Sequence, residues 1–142
     1  MSDELTFVDT NVLLYAYDRS AGNKYETARS LLATLWQARA GVLSTQVLQE
    51  FYVNATRKLP RPLRPPQARG IVARYATWPV HRVEVADILA ASEYEQRHSL
   101  SFWDALVVVA AERLGAVWLV SEDLRHGLVV AGMRVQNPFT VA

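Results

Sequence analysis

Two acidic residues come directly after apolar runs that are predicted to be strands. Asp9 follows the β-prone run at residues 5–8, and Asp123 lies just beyond the apolar run at residues 116–120. Since ligands bind outside the carboxyl ends of the strands in open α/β sheets, both carboxylates stand where such a fold performs chemistry. Asp9 taken alone could equally be the cap of the helix that follows it. The chemical interpretation therefore depends on whether further acids converge on the same edge.

Two further acids belong to predicted helices and lie beside their apolar faces. Glu50 borders the apolar stripe of a helix predicted over residues 46–58, and Asp104 is in line with the apolar stripe of a helix that ends near Gly115. Both carboxylates are therefore expected to be held against the core. The pattern Ser101-x-x-Asp104 also fits a capping box, so a purely structural role of Asp104 stays open.

Four converging carboxylates would need a counter-charge. At about 5 Å and an effective dielectric constant near 20, each pair repels by on the order of 3 kcal/mol, which a bound dication would neutralise. The chain has no cysteine, so any metal must be held by oxygen or imidazole ligands. Mg²⁺, or alternatively Mn²⁺, is the natural occupant of such a site. A metal of this kind activates a water molecule and stabilises the charge of a phosphodiester under attack.

The positive charges are unevenly distributed in a chain whose formal net charge is only +1. No Asp or Glu lies between Phe51 and Val83, whereas this basic segment contains several arginines, among them Arg57, Arg61 and Arg64. A basic stripe is typical of a surface that binds a polyanion, although an ordinary solvated face has the same composition. Combined with a metal site, the basic segment indicates a nucleic acid as the substrate.

Short apolar runs alternate with amphipathic stretches along the whole chain. They predict strands near residues 5–8, 41–44, 79–83, 116–120 and 132–139, and helices near residues 12–17, 24–38, 46–58, 65–77, 85–98 and 101–115. This alternation favours an α/β fold with a parallel sheet and helices on both faces, in which the strands at residues 5–8 and 116–120 lie near the middle.

The size of the chain predicts a single domain over residues 1–142, since 142 residues with 51% hydrophobic composition can form one real core. The longest unbroken apolar run, residues 105–111, is far shorter than the roughly 18 residues that a membrane span requires. The expected location is the cytoplasm, with no membrane partner.

The order and spacing of these motifs resemble those of PIN-domain ribonucleases, and in particular VapC-type toxins of bacterial toxin–antitoxin pairs. The resemblance extends from Leu5 to Phe139 and is carried by Asp9-Thr10-Asn11, Glu50, Ser101-x-x-Asp104 and Ser121-Glu122-Asp123. It implies a Mg²⁺-dependent endoribonuclease that leaves a 5′-phosphate, works as a homodimer and is silenced by a cognate antitoxin.

The resemblance also implies roles for individual residues. The catalytic acids would be Asp9, Glu50, Asp104 and Asp123, with the metal held by Asp9, Asp104 and Asp123. Asn11 and Ser121 would support them, and the arginines expected to meet RNA phosphates are Arg57, Arg61, Arg64 and Arg125. Ser121 stands where Thr is commoner in the family, and Glu122 competes with Asp123 for the inward position. We favour Asp123 as the inward acid.

Other functions fit parts of the pattern. A haloacid-dehalogenase-like phosphatase needs a second Asp where Asn11 stands and a lysine late in the chain, but the lysines are Lys24 and Lys58. A catalytically idle scaffold that binds RNA or protein remains the main alternative. The histidines show no ligand spacing, and several aromatic residues are interpreted as core rather than as stacking platforms: Trp36, Phe51, Tyr52, Trp78 and Trp103.

Overall fold

The apolar runs of the sequence form the strands of one sheet. The computed structural model describes residues 4–140. Its strands are β1 (Thr6–Val8), β2 (Gly41–Ser44), β3 (Val80–His81), β4 (Trp118–Val120), β5 (Val129–Val130) and β6 (Met133–Gln136). Its helices are α1 (Thr10–Tyr15), α2 (Asn23–Ala38), α3 (Thr45–Arg57), α4 (Pro65–Tyr75), α5 (Val85–His98) and α6 (Phe102–Arg113), and a short 3₁₀ turn covers Arg19–Ala21.

The sheet is mostly parallel and has β1 and β4 at its centre. The strand order is β3-β2-β1-β4-β6-β5, and β1 pairs in parallel with both β2 and β4. Every residue of β1 and β2 is buried, which requires that helices cover both faces of the sheet. The predicted α/β fold is confirmed, and so is the central position of the two apolar strands β1 and β4.

One edge of the sheet differs from the predicted all-parallel arrangement. β5 pairs antiparallel with β6, and the two strands are joined by Ala131 and Gly132, whose φ angles are 52° and 77°. Two consecutive residues with positive φ are typical of the tight turns that match the twist of a hairpin. The sequence did not predict β5, because a two-residue strand carries no usable periodicity.

Helices α5 and α6 pack together through an apolar cluster and through polar contacts of the buried Asp87 carboxylate. The Asp87 carboxylate accepts hydrogen bonds from His81 at 2.8 Å, from Arg113 at 3.2 Å and from the Glu84 N–H at 2.8 Å. Burial alone would raise the pKa of Asp87, but these hydrogen bonds outweigh it and hold the pKa below its usual value. The Asp87–Arg113 contact joins the start of α5 to the end of α6, so the two helices run antiparallel.

No helix within residues 4–140 is both long enough and apolar enough to cross a membrane. The most apolar helix, α6, is buried from Ala105 to Ala111 inside the protein core.

The contact between Gly41 and Trp78 provides a test of the packing between β2 and the turn that follows α4. A Cβ atom at Gly41 would overlap the ring of Trp78, which is itself buried. We expect Gly41→Ala to destabilise the fold by about 1–3 kcal/mol, because overpacking a filled core forces side chains or backbone to shift. The measurement is urea-induced unfolding.

Gly70 is the matched control for this substitution. It lies within α4 and a Cβ atom there would meet nothing within 4 Å. Because alanine is the better helix former by about 1 kcal/mol, Gly70→Ala should leave stability unchanged or raise it. Equal effects of the two substitutions would show that Gly41 is not in close contact with Trp78.

Candidate active site

Asp9 lies at the carboxyl end of β1 and is almost fully buried, with 4% of its surface exposed. It is the N-cap of α1: one carboxylate oxygen accepts a hydrogen bond from the Thr10 N–H at 2.7 Å. The other oxygen accepts a hydrogen bond from the Ser121 hydroxyl, also at 2.7 Å. Asp9 therefore does cap a helix, as the simple interpretation proposed, but this uses only one of its two oxygens.

The pairing of β1 with β4 brings Ser121 to Asp9. Val8 lies opposite Val120 in the parallel register, and the Asp9 N–H donates to the Val120 carbonyl at 3.0 Å. The chain therefore leaves both strands at the same edge. The Ser121 hydroxyl also accepts hydrogen bonds from the backbone N–H groups of Asp123 and Leu124, which folds the chain into a turn directly beyond β4.

Three carboxylates meet at this edge of the sheet. One oxygen each from Asp9, Asp104 and Asp123 can be chosen so that all lie within 4.8 Å of one another. Asp9 is buried, Asp104 is half-buried and Asp123 is exposed, so the group opens from the protein interior to solvent. We call these three residues the carboxylate cluster.

Asp104 enters the carboxylate cluster from the first turn of α6. The N-cap of this helix is Ser101, whose hydroxyl accepts a hydrogen bond from the Asp104 N–H at 3.1 Å. The cap of this helix thus uses the backbone N–H of Asp104 and not its carboxylate. Burial raises the pKa of Asp104, and the negative charges of Asp123 and Glu50 raise it further against the opposing effect of Ser101.

Glu50 lies next to the carboxylate cluster and is fixed by neighbouring side chains. One Glu50 oxygen accepts a hydrogen bond from the Thr10 hydroxyl at 2.7 Å. The other accepts from the Gln46 amide at 3.3 Å, one turn earlier on α3. Because Thr10 also donates its N–H to Asp9, it connects Glu50 to the cluster. Glu50 is nevertheless outside the group whose oxygens lie within 4.8 Å.

Glu122 points away from the carboxylate cluster. Its carboxylate forms an ion pair with Lys24 and accepts a hydrogen bond from the Tyr15 hydroxyl at 2.7 Å. Burial opposes the charged form, but the hydrogen bonds from Lys24 and Tyr15 hold the pKa of Glu122 below its usual value. The Glu122 N–H donates to the Asn11 side chain at 3.1 Å. Asn11 therefore positions the turn that carries Asp123.

The arginines expected to contact RNA phosphates form no ion pair with the carboxylate cluster in the part of the chain that the structure describes. Arg57, Arg61, Arg64 and Arg125 are all exposed. Arg61 lines a groove of about 620 Å³ beyond the end of α1, together with Tyr17, Arg19 and Arg29. Their contact with RNA remains a prediction.

The electrostatics of the carboxylate cluster suit a cation. Burial raises the pKa of Asp9 to about 7, and the nearby Asp123 and Asp104 charges add to this rise, although hydrogen bonds from Ser121 and Thr10 oppose it. A proton is one way to relieve such repulsion, and a divalent cation held by carboxylate oxygens is another. The donor set of oxygens alone fits Mg²⁺ or Mn²⁺.

Comparison with known proteins places this arrangement in a family. A model of the PIN domain family matches residues 6–129. The chain belongs to the PIN domain family. No curated protein sequence matches the chain significantly.

Solved structures with the same fold include toxin–antitoxin proteins. A toxin–antitoxin complex from Klebsiella pneumoniae is 17% identical, with a TM-score of 0.69 over 96% of this chain and 99% of that chain. The sarcin–ricin loop cleaving toxin VapC20 of Mycobacterium tuberculosis is 22% identical, with a TM-score of 0.60 over 80% of this chain and 86% of that chain. VapBC2 from Rickettsia felis, bound to a promoter DNA fragment, is 16% identical, with a TM-score of 0.63 over 94% and 98%. At these identities the likeness shows the fold.

The structure of this PIN domain also reveals contacts that sequence reasoning missed. Thr10 and Gln46 hold Glu50, and Lys24 draws Glu122 aside. Only the position of Thr10, next to Asp9, offered a signal in the sequence.

The interpretation of Trp103 as a core residue was wrong, because 61% of its surface is exposed at the start of α6.

The raised pKa of Asp9 predicts how the stability of the metal-free PIN domain depends on pH. The folded protein holds a proton on Asp9 up to about pH 7, whereas the unfolded chain releases it near the ordinary value of 3.8. Stability in chelator should therefore fall as the pH rises from 5 to 7.5, by on the order of 2 kcal/mol from this group. Asp9→Asn should remove that part of the slope in urea-unfolding measurements.

Glu122→Gln is the control for this measurement. The pKa of Glu122 is lowered from an ordinary value of 4.5, so both its folded and unfolded forms are largely ionised across this pH range. Its substitution should change stability by nearly the same amount at pH 5 and at pH 7.5. An Asp9→Asn curve parallel to that of the parent would contradict the raised pKa.

Proposed function

We propose that this PIN domain is a divalent-metal-dependent endoribonuclease and the toxin of a toxin–antitoxin pair. The observation that carries the proposal is the carboxylate cluster, in which Asp9, Asp104 and Asp123 offer oxygens within 4.8 Å of one another. The cluster lies at the carboxyl end of the central strands, where open α/β sheets bind their ligands.

In this proposal Asp9, Asp104 and Asp123 hold Mg²⁺ or Mn²⁺, and Glu50 is the fourth catalytic acid. When bound, the metal supplies the positive charge that polarises the phosphodiester and acidifies a water molecule. Glu50, held next to the cluster by Thr10, would orient the attacking water or accept its proton. Its two hydrogen-bonded oxygens limit its rotation, which favours a fixed direction of proton transfer.

The supporting residues act by fixing the acids before substrate arrives. Ser121 donates to the Asp9 oxygen that the helix cap does not use, and it also shapes the turn that carries Asp123. Asn11 holds the same turn through the Glu122 N–H. Ligands that are already oriented need no reorganisation when a metal binds, and such outer contacts commonly affect metal affinity about 10- to 100-fold.

RNA is the proposed substrate because the protein combines a candidate metal site with an exposed basic segment. Arg57, Arg61 and Arg64 stand on a stretch without acidic residues, and Arg125 is exposed just beyond Asp123. Arginines of this kind bind phosphates without reading bases, so they would position RNA rather than select it. The cytoplasm, where RNA is accessible, is the proposed location.

Two protein partners complete the proposal. The similar Klebsiella pneumoniae structure is a toxin–antitoxin complex, which supports a cognate antitoxin for this chain. A homodimer is supported by an apolar patch at the start of α5, where Val85, Ile88 and Leu89 are exposed on one helix face. We call these three residues the α5 patch.

The test of the proposed activity is cleavage of bacterial total RNA by purified protein. Cleavage should require Mg²⁺ or Mn²⁺, stop in excess chelator and fall at least about 100-fold in Asp9→Asn, because the metal supplies several kcal/mol of transition-state stabilisation. The variant should stay folded, since asparagine caps a helix as well as aspartate does.

Glu112→Gln is the control for loss of a carboxylate. Glu112 is on α6, as Asp104 is, but it accepts a hydrogen bond from Tyr94 at 2.7 Å and lies outside the carboxylate cluster. Its substitution should leave cleavage unchanged. RNA binding without cleavage would support the idle-scaffold alternative, and hydrolysis of small phosphomonoesters instead of RNA would support a phosphatase.

A further inference from the structure

Trp103 presents a large aromatic surface one residue before Asp104, a member of the carboxylate cluster. It is exposed over 61% of its surface and is adjacent along the first turn of α6 to Asp104. Phe102 packs edge-on against the Trp103 ring, with centroids 5.2 Å apart and an interplanar angle of 82°. An edge contact restrains the ring and leaves a face of it open. Exposure of so large an apolar side chain next to a candidate catalytic acid calls for a ligand.

Gln46 fixes the backbone that carries this ring. Its side-chain amide donates to the Trp103 carbonyl at 3.2 Å and to the Glu50 carboxylate at 3.3 Å. The two acceptors set the orientation of the amide, and the Gln46 oxygen is left buried without a hydrogen-bond partner among the described residues. A buried oxygen without a hydrogen bond costs free energy. The Gln46 side chain therefore holds Glu50 and the Trp103 backbone in place at some cost to the stability of the fold.

Trp103 is separate from the α5 patch. The Asp87–Arg113 contact joins the start of α5 to the end of α6, so Trp103, at the start of α6, stands at the opposite end of the helix hairpin from Val85 and Leu89. A surface that covers the α5 patch would therefore not have to cover Trp103.

We propose that Trp103 is a stacking platform for a nucleobase next to the phosphate that binds at the carboxylate cluster. This inference rests on the proposed ribonuclease function and adds a substrate-binding residue to it. Because Trp103 and Asp104 are neighbours on one helical turn, a phosphate at the cluster brings the base of an adjacent nucleotide within reach of the ring. Both faces of a base in a double helix are already stacked, so the platform selects unpaired RNA.

The test is a binding measurement that separates bases from phosphates. All proteins carry Asp9→Asn and are kept in chelator, so that no probe is cut. The probes are an adenosine RNA of about 12 nucleotides and an abasic ribose-phosphate chain of the same length and charge. Trp103→Leu should weaken binding of the adenosine RNA about 5- to 150-fold, the range for loss of one base–aromatic stack, and change binding of the abasic chain less than about twofold.

Trp103→Tyr and Val129→Ala are the matched controls. Tyrosine keeps an aromatic face and should retain most of the affinity for the adenosine RNA. Val129 is exposed to 62%, close to the value for Trp103, but lies on β5 at the sheet edge, so its substitution should leave both affinities unchanged.

Three results would overturn the role of Trp103: equal weakening of both probes, no weakening of either, or a change of oligomeric mass in sedimentation, which would assign the ring to a protein interface. Cleavage of total RNA by proteins with Asp9 intact separates failure of the stacking role of Trp103 from failure of the proposed ribonuclease function. If the parent and Trp103→Leu cleave with the same kcat/KM, only the stacking role fails. If the parent cleaves no RNA, the ribonuclease proposal itself fails.

Discussion

The parallel register between β1 and β4 is the constraint on which the proposed site depends. It pairs Val8 with Val120, so that the chain leaves both strands at one edge and the Ser121 hydroxyl reaches the Asp9 carboxylate. A slip of one residue would turn each side chain to the other face of the sheet and separate the two. Every residue of β1 is buried, so a slip would also have to repack the filled core on both faces of the sheet.

The carboxylate cluster is electrostatically unfavourable in the metal-free fold, and the surrounding structure maintains it. The pKa of Asp9 rises to about 7 through burial and the charges of Asp123 and Asp104. Glu122 is spared this repulsion because Lys24 neutralises it away from the cluster. The fold thus keeps Asp9, Asp104 and Asp123 together and holds Glu122 away from them. This is the pattern expected where local stability is given up for binding of a cation.

The sequence predicted those features that local patterns determine. Apolar runs located the main strands and helices, and the acids at their ends were predicted from the rule for parallel sheets. The hydrogen bond from Thr10 to Glu50 joins residues separated by 40 positions, which no local pattern reports. The exposure of Trp103 was also unpredictable, because an aromatic residue at the start of an apolar helix has the composition of a core residue. The packing of α6 against α5 and β2 decides which side of the helix faces solvent.

The most direct test of the carboxylate cluster as a metal site is to melt the parent and Asp104→Asn, each in chelator and in millimolar Mg²⁺. The substitution keeps the backbone N–H that donates to the Ser101 hydroxyl, and it removes a charge that faces Asp123 and Glu50. We predict that the variant melts at the same or a higher temperature than the parent in chelator, and that Mg²⁺ raises the melting temperature of the parent clearly and of the variant much less. A variant that is destabilised in chelator yet keeps the full Mg²⁺ shift would contradict this account, since Asp104 would then support the helix and bind no metal.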